Sequence, residues 1–398
     1  MRKLIALQGL PGAGKSTLIA QAGLKDYTLS SDELRLLLAS PRLRADGSLE
    51  ISQKNGGRVW QLLFEILESR MLSGATTCVD ATHLTQSSLQ PYRKLAQRYG
   101  YKLQLCSLRK LSFEVCAARN AARDPLRRVP AEVMSSFAEQ LAKFETPPWI
   151  EEIDSADLPK ALSGPVQALG DLAGLHFIGD LRGYCEPLDF FLQECGSLDA
   201  PLVFTGDLFG EGPHNAEILR SVLPQLEAGR ALVCEGYMER QLRLHLAGKT
   251  VRSEIFLNCV RPQFLAAECT REELELFLSH LRELICWDEA ELKLLVSHGG
   301  LPRPWPASEL GRLAADDLIL GAGPVDAAVD ESFAAHAAGQ LQIHGHRNAA
   351  GAPLEAAPGS FNLSRTPPEW RALSWDRRQR CWTPRLFREN LQPAAALP

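Results

Sequence analysis

The stretch Gly9-Leu-Pro-Gly-Ala-Gly-Lys-Ser16 has the spacing G-x-x-x-x-G-K-[ST]. Such a loop turns successive backbone N–H groups onto phosphates, and the helix that follows adds its positive end. Gly9, Gly12, Ala13 and Gly14 make the cradle. Lys15 reaches the β and γ phosphates, Ser16 ligates Mg2+ beside ATP, and Thr17 follows it. Asp32 stands three residues before Arg35 in Leu-Ser-Ser-Asp-Glu-Leu-Arg. A carboxylate there can take the proton of an attacking hydroxyl, and an arginine one helical turn on can hold an acceptor phosphate. An aspartate in this place can equally be a helix cap. Asp80 to His83 end a short apolar run, where polar groups orient the loop or the metal's water; a histidine there also serves as a surface or capping residue. Arg119 and Arg123 are four apart and share a helix face, with Arg127 and Arg128 beyond. Arginines over bound ATP stabilise charge spreading across the transferred phosphoryl group; the plain alternative is a solvated basic face.

A second series lies further along. Asp180, Asp207, the stretch Gly236 to Glu239, His298, and the pair His344 and His346 each close an apolar run. Aspartates and histidines at successive strand ends are the pattern of paired metal ions that activate water and clamp a phosphate.

The elements that must position these groups read as α/β. "KLIALQG", "ATTCVDATHL" and "YKLQLCSL" are strand-like, with helical patterns such as "GRVWQLLFEILESRML" between them. Alternation of this kind predicts a parallel sheet over residues 1–150. Pro, Gly and acids in "TPPWIEEIDSADLPKALSGP" predict a linker at 151–172. A second domain follows at 173–390, with strands at "LHFIGD", "APLVFTGD", "RALVCEG", "KLLVSHGG" and "LQIHGH". Strand ends are where such folds present chemistry.

Composition narrows the class. The 398 residues are 45% hydrophobic and 23% charged, as in an ordinary globular protein. No apolar run is long enough to cross a bilayer and the first residues do not read as a signal peptide, so a cytoplasmic protein without a membrane partner is expected. The ten cysteines are scattered, without a C-x-x-C pair. Residues 1–150 hold 21 Lys and Arg against 13 Asp and Glu, a net of +8; the remainder holds 22 against 35, a net of −13. The basic half suits a polyanion such as ATP or nucleic acid.

Taken together, the phosphate loop, S-D-x-x-R, D-A-T-H and R-N-x-x-R with Val129-Pro130 resemble the phage and bacterial polynucleotide 5′-kinase family over roughly residues 1–150. The resemblance implies a P-loop kinase fold and transfer of the ATP γ-phosphate to a 5′-hydroxyl of RNA or DNA, with RNA favoured and RNA or tRNA end repair the natural setting. It implies Asp32 as general base, Arg35 on the acceptor's 3′-side phosphate, and Arg123 over ATP from a lid. In that family the place of His83 is usually held by Asn. Residues 174–365 resemble calcineurin-like metallophosphoesterases, especially the kinase-linked bacterial kind, which implies an α/β/β/α sandwich. Three departures stand out. Arg182 replaces a histidine of Gly-Asp-x-His, Gly210-Glu211 replaces Asp-Arg, and Tyr237-Met238 replaces Asn-His. Asp180, Asp207, His298 and His346 remain, divided by the resemblance between two metal positions. The expectation is a relic site, held as a salt bridge or with one residual ion, in a domain that binds or supports. An Arg/Trp-rich tail from Arg365 to Arg388 offers rings and cations for stacking nucleic acid, or ordinary packing. Two rival readings keep the phosphate loop: a kinase of small molecules or nucleosides, and a non-catalytic ATP-gated binding protein.

Overall fold

The computed structural model describes residues 2–45, 47–194, 200–347, 353–364 and 369–388. The chain forms two compact units: Met1–Ser163 with Ser308–Ala314, and Gly164–Ala307 with Ala315–Pro398.

In the first unit β1 (Lys3–Gln8) runs into the phosphate loop and α1 (Lys15–Gln21). Then come β2 (Thr28–Ser30), α2 (Ser31–Leu38), a short hairpin of β3 (Arg42–Leu43) and β4 (Leu49–Glu50), and α3 (Gly56–Leu72). They are followed by β5 (Thr77–Asp80), α4 (Gln90–Tyr99), β6 (Lys102–Ser107), α5 (Phe113–Ala121), α6 (Ala131–Ala142) and β7 (Glu151–Asp154). The main sheet has the order β2-β5-β1-β6-β7 and every pair in it is parallel. Leu4, Ile5, Ala6 and Leu7 of β1 are wholly buried, as expected of the middle strand of a sheet covered on both faces.

The linker expected at 151–172 is corrected by β7. Its residues "EEID" are too acidic to read as a strand, yet it pairs with β6 at the sheet edge, where its charges meet cations: Glu152 lies 2.8 Å from Arg109 and Asp154 2.6 Å from Lys110. The unit also takes in a later piece of chain. Thr76 donates to the Gly311 carbonyl at 2.6 Å, the Gly311 N–H donates to Leu162, and Arg312 donates to the Ala22 carbonyl at 2.9 Å.

The second unit is two stacked sheets with helices outside, an α/β/β/α sandwich. One sheet has the order β11-β10-β9-β17-β18, from β9 (Gly174–Ile178), β10 (Leu202–Phe204), β11 (Ala231–Val233), β17 (Glu369–Asp376) and β18 (Cys381–Arg388). The other has the order β15-β16-β14-β13-β12-β8, from β8 (Val166–Gln167), β12 (Leu284–Asp288), β13 (Lys293–Ser297), β14 (Leu341–His344), β15 (Glu355–Ala357) and β16 (Ser360–Asn362). Phe177, Val203 and Leu373 of the first sheet pack against Trp287, Val296 and Ile343 of the second.

The Arg/Trp-rich tail is largely the hairpin β17–β18 rather than a free arm; Arg365 and residues beyond 388 lie outside the described residues. Trp370 and Trp375 are buried, and Trp382 packs on Phe361 and Phe177 at 5.3 and 5.9 Å between ring centres. Arg377, Arg385 and Arg388 pair with Glu291, Glu194 and Glu369. These rings build core, and these three cations are balanced.

Candidate active site and candidate metal centre

The phosphate loop is shaped by where its glycines stand. Gly9, Gly12 and Gly14 all have positive φ (152°, 83° and 99°). A Cβ on Gly12 would meet the Cys116 carbonyl oxygen at 2.3 Å, so the loop lies directly on α5. That contact brings Arg119 of α5 to the loop; Arg123 follows just past the end of α5 at Ala121, so the shared helix face expected for the pair is not formed. Lys15 donates to the carbonyls of Gly9 and Leu10 at 2.8 and 3.1 Å. Burial holds its ammonium below the ordinary range, against the opposing charge of Asp80.

Parallel register sets the acids. Asp80 is level with Leu7 of β1 on one side and with Ser30 of β2 on the other. It therefore sits between the root of the phosphate loop and the helix that carries Asp32. Burial raises its carboxyl above the usual range, while Lys15 pulls it back. Sequence reasoning saw Asp80 only as part of a polar strand end; the signal lay in its being the last residue of a strand next to β1, which pairing alone reveals. Asp32 is in the first turn of α2 with its side chain 46% exposed, and Arg35 lies 3.9 Å from it. Arg35 Nη1 is buried without a hydrogen-bond partner among the described residues.

Lys15, Asp32, Arg35, Asp80, Arg119 and Arg123 line one cavity of about 880 Å3, together with Gly12 and Gly14 of the loop. It also takes in Ser16, Thr17, Arg44, Trp60, Arg127 and Arg128. Seven cations (Lys15 and six arginines) face three carboxylates, Asp32, Glu50 and Asp80. The loop that carries Arg127 and Arg128 is tied down by one buried side chain. Asn120 donates to the Val129 carbonyl at 2.7 Å and accepts from the Val129 N–H at 3.1 Å. His83 is corrected from a surface, capping or metal-water residue to an internal strut. It is buried at φ 45°, its Nδ1 lies 2.6 Å from the Leu7 carbonyl, and burial lowers it to about 4.

In the second unit Asp180, Asp207, His298 and His346 do converge, each just past β9, β10, β13 and β14. Ligand atoms of Asp207, His298 and His346 all lie within 4.8 Å of one another, close enough to meet a single ion. His298 Nδ1 lies 2.9 Å from the Thr205 carbonyl and donates to it, which leaves the buried Nε2 facing Asp207 Oδ1 at 3.5 Å. Burial opposes charge on His298, but Asp207 outweighs it and holds the imidazole up to about 9. On Asp207 burial is likewise outweighed by His298, which keeps the carboxyl below its usual range. Burial lowers His346 to about 4 and raises Asp180. Glu239 is pushed up to about 7 by burial; it accepts from the N–H groups of Asp207, Leu208 and Gly236 and so fixes the loop that carries Asp207.

The replaced residues answer one another. Arg182 donates to Glu211 at 2.9 Å and stands 4.0 Å from Asp207 Oδ2. Arg182 thus makes its close contact with Glu211 and a longer ion pair with Asp207, as a salt-bridged relic expects of Asp207. A Cβ on Gly210 would lie 2.8 Å from the Cα and Cβ of Arg182, so no aspartate fits there while Arg182 holds this pose. Asn215 bonds the Gly210 N–H and the Gly210 and Gly212 carbonyls, which fixes the loop bearing Glu211. For one ion the donor set fits: a carboxylate and two imidazoles, with His298 Nε2 an unpartnered buried atom. For two ions it does not, because a guanidinium stands on the other side of Asp207.

Residues 4–147 match the family described as an AAA domain, and this first unit is a P-loop kinase-like, nucleotide-binding domain. Over 73 residues the chain is 41% identical to the symmetrical bis(5′-nucleosyl)-tetraphosphatase of Ralstonia nicotianae. That match takes in 18% of this chain and only 25% of the relative's length. Among solved structures, a metallophosphoesterase from Sphaerobacter thermophilus aligns at 14% identity and TM-score 0.34, over 55% of this chain and 89% of its own. A candidate kinase from Chloroflexus aurantiacus aligns at 17% identity and TM-score 0.30, over 38% and 88%. The strand orders given above, rather than these alignments, define the two folds. No helix among the described residues is long and apolar enough to cross a membrane.

Proposed function

We propose that the chain is an ATP- and Mg2+-dependent polynucleotide 5′-hydroxyl kinase, acting on RNA ends in preference to DNA. The observation that carries this reading is the one cavity lined by the phosphate loop, Asp32, Lys15 and six arginines. Arg119 and Arg123 stand on the donor side, next to the loop. In this reading Arg35 serves the acceptor, since its free Nη1 suits a second phosphate, which a polynucleotide end has and a simple alcohol lacks.

Asp32 accepts the proton of the 5′-hydroxyl as its oxygen bonds to the γ-phosphorus and the bond from γ-phosphorus to the β-bridging oxygen breaks, releasing ADP. Lys15, Arg119 and Arg123 carry the charge that spreads over the moving group. Ser16 and Asp80 offer the hard oxygen donors that suit Mg2+, which when bound draws charge from the β and γ phosphates. The second unit binds or supports the acceptor without hydrolysing phosphoesters, since Met238 stands where the resemblance expects a histidine.

The test is transfer of labelled γ-phosphate to 5′-hydroxyl RNA and DNA oligonucleotides, with Asp32→Ala and Lys15→Ala beside the unaltered chain. Label on RNA that disappears in both variants is the expected result. Label on nucleosides but never on oligonucleotides would overturn the acceptor assignment.

A further inference from the structure

Of the seven described non-glycine residues with positive φ, three belong to the strand-end cluster of the second unit: Arg182 at 53°, Asp207 at 48° and His346 at 59°. Non-glycine backbone is held there only where surrounding structure insists on it, and such positions gather at sites that bind something. What insists is visible: Glu239 holds the Asp207 loop through three N–H groups, and Asn215 holds the Glu211 loop. Asp207 shows two faces. Oδ1 looks to His298 Nε2 and Oδ2 looks to Arg182 Nη1. Asp180 Oδ1, buried and without a hydrogen-bond partner among the described residues, lies 3.9 Å from His298 Nδ1.

We propose that this site binds one divalent ion of the zinc or manganese type on Asp207, His298 and His346, and that the Arg182 guanidinium serves as the second positive charge. The two cations together then grip the phosphate group of a phosphate ester without cleaving it. Three protein ligands leave a tetrahedral ion one open position for a phosphate oxygen. Glu211 holds Arg182 through Nε, so the end of the guanidinium stays turned to the Asp207 side, where a further phosphate oxygen would sit. The proposal deepens the reading of the second unit as a binding module and rests on that reading only for the absence of cleavage.

The test uses the full chain carrying Lys15→Ala, which removes the main phosphate contact of the first unit. The protein is stripped with a chelator, reloaded with zinc, and its metal measured by plasma mass spectrometry. One zinc per chain is expected. His346→Ala should weaken zinc binding by about 10-fold or more, as loss of a ligand does at least as much as loss of its support. Arg182→Ala should keep the zinc yet weaken inorganic phosphate, followed by calorimetry, by about 10-fold, the worth of a charged hydrogen bond. Two zinc ions per chain, none, or unchanged phosphate binding in Arg182→Ala would overturn the proposal. So would hydrolysis of p-nitrophenyl phosphate that depends on His346. Metal content and phosphate affinity are read without the kinase assay, so failure of the kinase reading leaves these outcomes standing.

Discussion

The two sites handle charge in opposite ways. In the first unit seven cations face three acids across an open cavity, and Asp32 and Arg35 Nη1 still have capacity for a ligand. In the second unit Asp180, Asp207, Glu239 and His298 are buried close together, with His298 against Asp207 and Arg182 between Asp207 and Glu211. A site that keeps uncompensated positive charge near solvent attracts anions and can release them. A site whose charges are paired inside low dielectric resists change, because removing one partner strands the other. The contrast suits turnover in one unit and firm holding in the other.

The largest effect that could break this comparison is on catalysis. Asp32→Ala should lower kcat for phosphoryl transfer by about 10^3-fold, within the range for loss of a general base, while Asp180→Asn leaves it unchanged. Steady-state rates on a 5′-hydroxyl RNA decide this, and a comparable loss in both variants would mean that the two sites are not separate. Next comes the hairpin β17–β18. Trp370→Ala should cost about 3–5 kcal/mol of second-unit stability by urea titration, with RNA affinity unchanged at matched folded fraction. Lost affinity would return the hairpin to a binding role.

A smaller effect concerns His83. Its folded value of about 4 lies below the ordinary 6.5, so the unfolded chain binds the extra proton first. Stability from this group is fully present above pH 6.5 and is lost as pH falls towards 4, by up to about 3 kcal/mol. Unfolding of the first unit followed across that window should show the slope, and His83→Gln should flatten it. The smallest effect is at Asn120. Asn120→Ala leaves the Val129 groups unpaired, which costs about 1–3 kcal/mol locally and should raise KM for ATP more than it lowers kcat. An unchanged KM would mean that the arginine loop needs no tether.

What the sequence disclosed follows from which signals are local. The phosphate loop was legible because its glycines are required by the loop itself. Strand ends such as Phe177-Ile178-Gly-Asp180 were legible because an apolar run must stop where polar chemistry begins. Asp80 as a neighbour of Lys15 was not legible, since it depends on β5 lying between β1 and β2. The convergence of Asp207, His298 and His346 depends likewise on β10, β13 and β14 from two different sheets. β7 and β17–β18 escaped because their charges, read alone, suggest solvent, and only their partners Arg109, Lys110, Glu291, Glu194 and Glu369 show otherwise.

The later piece of chain in the first unit, Ser308–Ala314, has a consequence for the order of events in the cell. Domains near the start of a chain generally fold while the rest is still being made, at about 5–20 residues per second. Here the bonds from Thr76 to Gly311 and from Arg312 to Ala22 cannot form until residue 312 has left the ribosome. For several seconds the nascent phosphate-binding unit has its sheet but lacks its last buckle, so its maturation waits on synthesis of much of the second unit.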